Sequence, residues 1–261
     1  MKKVGIIGAG KIGGSLLLRL AESGGFDLGV SDIHPEQLRL YDESGVRTTS
    51  SNRELAESSD LVIVAVKPWD VTQVMQEISP SFEDTNKAVT SVAAGVSIAR
   101  ISESLPEGTA VLRVMPNVCA SVGLGSAVVT ANEAGRAALP TVMDIFRHVG
   151  DVLELPERLF DAATALHGSG PAYVALFADA LIQAGVREGI PRDVARRLVI
   201  GTIGGTAVLL KERSAHQVRD EVMTPGGTTA AAFVAMEKAG FVAAVYDGVE
   251  AATEKARGLG G

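Results

Sequence analysis

The chain has 261 residues, of which 46% are hydrophobic and 21% charged. It is long and apolar enough to bury one large core or two modest ones, and that balance excludes a disordered, collagen-like or coiled-coil chain. Lys and Arg number 24 against 31 Asp and Glu, a net charge of −7, so the surface repels phosphate backbones and nucleic acid is not expected as a partner.

In chain order, the first half alternates between two periods. Val4–Ile7 is a short apolar run ending at Gly8, and residues 11–23 carry Ile12, Leu16, Leu17 and Leu20 at helical spacing. Leu28–Val30 predicts a second strand. Leu61–Val66 (LVIVAV) is an unbroken apolar run, as a strand buried on both faces requires. Val71, Val74, Met75 and Ile78 form another helical stripe. Strands are predicted over 87–92, 111–115, 127–130 and 151–155, with a helix over 133–148. Such alternation predicts a parallel, doubly wound sheet covered by helices, an α/β fold of Rossmann type.

After Pro156 the strand-like runs stop. Residues 160–166, 172–188, 192–210, 228–239 and 241–257 read as helices rich in Ala and Leu, punctuated by Gly168-Ser169-Gly170-Pro171, Gly189-Ile190-Pro191 and Thr224-Pro225-Gly226-Gly227. The chain therefore divides into a dinucleotide-binding domain, 1–155, and an all-helical domain, 156–261, with a tail over 258–261 expected to fray. Aromatics are only 4% while Gly numbers 29; small residues let helices approach closely, which suits interlocking with a second chain.

Gly8-Ala9-Gly10-Lys11-Ile12-Gly13 is a GxGxxG motif between a strand-like run and an amphipathic helix. Gly8 permits the tight turn, Gly10 lets backbone approach a pyrophosphate, and Gly13 lets helix and strand pack closely. The helix N-terminus adds free N–H groups and a positive dipole end. Asp32 follows Gly13 by 19 residues, near the spacing of acids that accept ribose hydroxyls and repel a 2′-phosphate; it favours NADH over NADPH. Lys67-Pro68 and Ala93-Ala94 follow two further strands, where small residues let a nicotinamide ribose reach the backbone.

Thr224-Pro225-Gly226-Gly227-Thr228-Thr229 precedes a predicted helix. Successive glycine N–H groups flanked by hydroxyls make an anion site of carboxylate size; the competing reading is helix capping by Thr228. The single Cys119 allows no internal disulfide, and the four histidines (His34, His148, His167, His216) lack metal-ligand spacing, so no metal is expected. The short apolar stretch before Gly8 is no signal sequence and no run approaches the roughly 18 apolar residues of a span, so a cytoplasmic protein with no membrane partner is expected.

These stretches carry a family resemblance over nearly the whole chain. GAGKIGGSLL (8–17), AVKPWDV (65–71), SVAAGVS (91–97), RVMPN (113–117), HGSGPAYV (167–174) and RDEVMTPGGTTAAAF (219–233) resemble the pyrroline-5-carboxylate reductases, which reduce a cyclic imine to L-proline with NADH or NADPH. The resemblance implies cofactor contacts at Gly8, Ala9, Gly10, Lys11, Ile12, Asn52, Ala65, Val66, Lys67, Pro68, Ala93 and Ala94. It implies that Thr224, Gly227 and Thr228 hold the substrate carboxylate, with Gly226 in the same loop, that Thr229 faces the imine nitrogen, and that Glu212 lies near the active site. It implies a homodimer through the helical domain, with decamers also known in the family. Three residues depart from the family pattern. Thr224 stands where serine is commoner, His167 where small or hydroxyl residues precede GSGP, and Asp32 in place of a neutral pocket. The first two leave room for a substituted or six-membered ring imino acid; the third bears on the cofactor.

Two other classes compete. A β-hydroxyacid dehydrogenase needs a general-base lysine on the first long helix after the linker, and residues 172–188 contain none. The other is a cofactor-bound regulatory protein without turnover, against which the intact TPGGTT loop argues.

Overall fold

The computed structural model describes residues 2–41, 44–83 and 85–258; the tail beyond Gly258, expected to fray, lies outside them. Eight strands form one sheet: β1 (Lys2–Ile7), β2 (Phe26–Ser31), β3 (Arg47–Thr49), β4 (Leu61–Val64), β5 (Ala88–Ser91), β6 (Ala110–Pro116), β7 (Gly125–Ala131) and β8 (Gly150–Glu154). Their spatial order is β3-β2-β1-β4-β5-β6-β7-β8. Six of the seven pairings are parallel, as the strand–helix alternation implies; β6 and β7 run antiparallel, with Leu112 opposite Ala131. Only residues 117–124 connect that pair, too few for a parallel crossover, which needs a dozen or more.

The connecting helices are α1 (Lys11–Ser23), α2 (Pro35–Leu38), α3 (Asn52–Glu57), α4 (Val71–Ile78), α5 (Ile98–Ser102) and α6 (Leu139–Arg147). Side chains alternate across the sheet and so feed two cores. Val4, Ile6, Ile63, Leu112 and Val114 join Leu16, Leu17 and Leu20 of α1 and Ile145 and Phe146 of α6 on one face. Ile7, Val62, Val64, Val89 and Val111 join Leu55 of α3 and Val74, Met75 and Ile78 of α4 on the other. Each such side chain taken from water is worth about 1.5–3 kcal/mol. Burial on both faces explains the first four residues of the LVIVAV run, Leu61–Val64.

The predicted helix over 133–148 is a 3-10 turn, Ala134–Ala137, followed by α6; Pro140 sits in the first turn of α6, where its missing N–H costs nothing. The predicted helix over 160–166 is also shorter: α7 (Phe160–Ala163) widens into a π-helical turn, Thr164–Gly168, where Ser169 N–H donates to Thr164 O five residues back at 3.0 Å. Beyond it lie α8 (Gly170–Arg187), α9 (Arg192–Leu209), α10 (Ala215–Val222), α11 (Thr228–Lys238) and α12 (Phe241–Arg257). Of these five, α10 has no counterpart in the sequence reading, and neither do the short α2, α3 and α5. Helix α10 opens with a capping box, Ser214 and Gln217 each bonding the other's backbone.

Packing divides the chain into one unit up to Ser169 together with residues from Ala251 on, and a second unit, Gly170–Glu250. In the second unit large apolar side chains stay exposed, among them Leu176 at 72%, Tyr246 at 71% and Val208 at 64%. A groove of about 480 Å³ between α8 and α12 is lined by Tyr173, Leu176, Phe177, Phe241 and Val245, among others.

Candidate active site

The parallel register aligns the strand ends. Ile7 pairs with Ser31 on one side and Val64 on the other, and Val64 pairs with Ser91. Gly8, Asp32, Ala65 and Val92 are therefore the first residues past one level edge. β1 lies where the strand order reverses, the position at which doubly wound sheets open a ligand crevice.

The three motif glycines occupy different environments. Gly8 has φ +99°, and a Cβ on it would lie 2.6 Å from Ala65 O. Its N–H donates to Ser31 O at 2.8 Å, which ties the turn to β2. A Cβ on Gly13 would lie 2.0 Å from Gly8 O, so helix and turn are in contact there. A Cβ on Gly10 would meet nothing within 4 Å. Gly10 is the N-cap of α1 with no side chain bonding the helix end, so the first N–H groups of α1, on Lys11 and Ile12 among others, stay available for a ligand. That open side at Gly10 and the closed one at Gly13 fit a dinucleotide pyrophosphate.

Asp32 lies in the same cleft, about 510 Å³, with Ala9, Gly10, Lys11, Ser15, His34, Gln37 and Tyr41. Its Oδ2 accepts from Ala9 N–H at 2.7 Å and its Oδ1 from His34 N–H at 2.9 Å. Each carboxylate oxygen keeps a second lone pair for a ribose hydroxyl. Asp32 thus also staples the glycine turn to β2, a duty its spacing does not reveal. Tyr41, 2% exposed, closes the floor: a Cβ on Gly14 would lie 2.6 Å from its hydroxyl. Burial, and then the Asp32 carboxylate, push the phenol above its ordinary value.

Asn52 opens α3, and its side chain joins Ser31 and Glu77. Past β4, Ala65 N–H donates to Ile7 O at 2.8 Å; Val66 and Pro68 are half-buried and Lys67 is exposed before a 3-10 turn, Pro68–Asp70. Past β5, Ala93 is buried and Ala94 half-buried, with Ala93 N–H donating to Ser91 Oγ at 3.3 Å. The sheet edge thus gathers every cofactor candidate named from the sequence.

The substrate candidates lie on the second unit. Thr224-Pro225-Gly226-Gly227 is a β-turn closed by Gly227 N–H to Thr224 O at 3.0 Å. Gly226 at φ +70° follows Pro225, the type II arrangement. Gly227, not Thr228, is the N-cap of α11, and no side chain caps the helix. The capping alternative for Thr228 therefore falls, and the helix end keeps unsatisfied N–H groups beside the Thr228 and Thr229 hydroxyls. A Cβ on Gly227 would lie 2.4 Å from Thr224 Oγ1. Glu212 is exposed in the turn between α9 and α10.

Both ring nitrogens of His167 face backbone carbonyl oxygens. Its Nδ1 lies 2.5 Å from Ala163 O and its Nε2 2.8 Å from Met115 O, while its own carbonyl accepts from Asn117 Nδ2 at 3.1 Å. It ties the π-helical turn to the end of β6. Sequence reasoning missed Arg113, whose side chain is buried on β6 with Nη1 3.1 Å from Glu157 Oε1 and its guanidinium 4.7 Å over the Phe160 ring. A charged residue inside the apolar VLRVM run was the signal that a counter-ion had to follow. Among the described residues no group of three or more His, Cys, Asp or Glu could hold a metal ion, and no single helix is long and apolar enough to cross a membrane.

Comparison with known proteins gives a consistent result along the chain. A family model described as pyrroline-5-carboxylate reductase dimerisation matches residues 157–259, and one described as NADP oxidoreductase coenzyme F420-dependent matches residues 3–95. The pyrroline-5-carboxylate reductase of Synechocystis is 37% identical over 99% of this chain and 98% of its own length; pyrroline-5-carboxylate reductase 3 of Rattus norvegicus is 36% identical over 99% and 96%. The structure of the Coxiella burnetii enzyme superposes with a TM-score of 0.94 at 30% identity, covering 99% of this chain and 98% of that one. The Plasmodium falciparum enzyme, solved with NADP bound, gives 0.88 at 32%, covering 100% and 98%. The chain belongs to the pyrroline-5-carboxylate reductase family.

Proposed function

We propose that the glycine turn and Asp32 select NADH over NADPH, and that the Thr224–Thr229 segment binds a small cyclic imino acid. The activity is reduction of the C=N bond of 1-pyrroline-5-carboxylate, giving L-proline. The reduced nicotinamide, when bound, supplies the hydride for the imine carbon. An iminium carbon is already electrophilic, so the residues have to hold, orient and exclude water rather than supply a Lewis acid. In this reading the N–H groups of Gly10, Lys11 and Ile12 hold the pyrophosphate, and Asp32 accepts from the adenosine ribose. Ala65, Val66, Lys67, Pro68, Ala93 and Ala94 line the nicotinamide end.

The carboxylate of the imino acid is assigned to the N–H groups at Gly226 and Thr228 and to the Thr224 hydroxyl, with Gly227, whose N–H closes the turn, leaving room for it. The Thr229 hydroxyl hydrogen-bonds the ring nitrogen as it gains its proton and becomes an amine, and Glu212 is a nearby polar group. The functional division is 1–155 for cofactor and 156–261 for substrate and assembly, the latter as a cytoplasmic homodimer.

The observation that carries the cofactor assignment is the contrast between Gly10, open, and Gly13, closed, beside a carboxylate with spare lone pairs. The test is oxidation of NADH and of NADPH by the purified protein with pyrroline-5-carboxylate and with its six-membered homologue. Turnover with kcat/KM higher for NADH supports the reading. No oxidation of either cofactor, while binding is measurable, sinks it; equal or reversed preference sinks the role of Asp32.

A further inference from the structure

Glu77 lies on α4 outside every motif, and its contact has a direction. Its Oε2 accepts from Asn52 Nδ2 at 2.8 Å. Asn52 Oδ1 in turn accepts from the Ser31 hydroxyl at 2.8 Å. Ser31 is fully buried and Asn52 is 8% exposed, whereas Glu77 is exposed. The bridge runs outward from the last residue of β2, immediately before Asp32.

An amide's oxygen and nitrogen are told apart only by their partners. Ser31 does not tell them apart, because a hydroxyl both donates and accepts. It would bond Asn52 equally well with the amide turned over. A carboxylate only accepts, so Glu77 alone breaks the tie. It draws the NH2 group to itself and turns the oxygen toward Ser31. With its oxygen and one N–H engaged, Asn52 keeps one N–H for a ligand oxygen. Turned over, it would spend both its N–H groups differently and offer a carbonyl.

The geometry points to Glu77 as a positioning residue for the adenosine end of the cofactor, acting through the orientation of the Asn52 amide. This rests on the assignment of Asn52 as a cofactor contact. The three residues also join β2, α3 and α4, so a merely structural tie is the alternative to be separated.

The test compares Glu77→Gln, Asn52→Ala, their double variant, and the exchanged pair Asn52→Asp with Glu77→Gln. Cofactor affinity is read by fluorescence titration of NADH, thermal midpoint on the apoprotein, and kcat and KM with pyrroline-5-carboxylate. Glu77→Gln keeps the side-chain shape but bonds either face of the amide. Loss of a single orientation costs at least about twofold in affinity, and about tenfold if the amide also loses its position. We expect KM for NADH to rise by that factor with kcat unchanged and the midpoint at the wild-type value. The double variant should be no worse than Asn52→Ala alone. The exchanged pair re-forms the bridge with donor and acceptor reversed, so its midpoint should be wild-type while its affinity stays low.

Wild-type affinity in Glu77→Gln, additivity with Asn52→Ala, or recovered affinity in the exchanged pair would each overturn the proposal. So would wild-type affinity in Asn52→Ala, which takes the ligand away from Asn52. Wild-type turnover, measured in the same series, tests the reductase reading separately.

Discussion

Gly10 and Gly13 stand three residues apart in one motif, and the structure assigns them opposite sensitivities to a single methyl group. At Gly13 an added Cβ falls 2.0 Å from Gly8 O and 3.1 Å from Ala65 Cβ. A carbon–oxygen contact needs about 3.3 Å, so α1 and the turn must part by more than about 1 Å, and the obstacle is backbone rather than a mobile side chain. Overpacking costs about 1–3 kcal/mol, and the rigid obstacle places Gly13→Ala near the upper end. At about 2–4 °C per kcal/mol for a chain of this size, the apoprotein should melt roughly 6–12 °C lower. Gly10 has φ −68° and ψ −168°, extended backbone open to any residue, and its Cβ meets nothing. Gly10→Ala should therefore melt no lower than wild type, because alanine restricts the unfolded chain by about 0.4–1 kcal/mol. Its methyl instead occupies the pyrophosphate position and should weaken NADH binding about tenfold or more, again an overpacking cost. Circular dichroism melts of both apoproteins and a fluorescence titration with NADH decide it. Wild-type affinity in Gly10→Ala, or a wild-type melt in Gly13→Ala, would refute the division of labour.

Asp32→Ser should raise the NADPH to NADH ratio of kcat/KM, but it also removes the acceptor of the Ala9 and His34 N–H groups. About 1.5 kcal/mol of lost charged hydrogen bonding should lower the apoprotein melt by roughly 3–6 °C, and an unchanged melt would deny the stapling role. Thr229→Ala should lower kcat about tenfold with KM for the imino acid little changed, as expected for a bond strengthened during reduction. Gly227→Val should raise that KM, because its Cβ displaces the Thr224 hydroxyl; steady-state kinetics showing full activity in both would place the carboxylate elsewhere. Tyr41 favours its neutral form in the fold, since burial and Asp32 raise its pKa from 10.0. That stabilisation is fully present below pH 10 and is lost as pH rises through the raised value. Denaturant titrations across the alkaline range should show stability falling in wild type and a shallower fall in Tyr41→Phe.

The sheet was legible where one physical cause dominated. Leu61–Val64 is apolar at every position because both faces are covered, and β4 lies where it was read, except that Ala65 and Val66 have already left the strand and are half-buried. The α4 stripe holds to the residue, from Val71 to Ile78. Legibility failed where the cause was non-local. β3 is three residues with no apolar pattern, RTT, and exists because its backbone pairs with Gly29–Ser31 of β2. The antiparallel turn of β7 depends on a short connection that periodicity does not register. At the site, residue type announced what Asp32 and the glycines suit, but not which atoms were already engaged. That Asp32 holds Ala9, that His167 Nε2 faces Met115 O, and that Glu77 accepts from Asn52 all involve partners 23 to 52 residues away.

The helical half shows the same limit at a larger scale. Its abundance of small residues suggested close helix packing, and helices α8 and α9 do approach closely enough that a Cβ on Gly185 would lie 3.2 Å from Ala195 Cβ. Yet within this unit Ala195 is the only fully buried hydrophobic residue among those described, and Tyr173, Leu176, Phe177, Phe241 and Val245 line an open apolar groove. Leaving such side chains in water forfeits about 1.5–3 kcal/mol each, far more than a folded unit of this size could forgo several times over. The missing stabilisation has to come from association, and the dimerisation family that matches residues 157–259 supplies the reason. For this half of the molecule, the amphipathic pattern of a helix marks the face turned to another chain, and a single chain's own core is the wrong place to look for what holds it together.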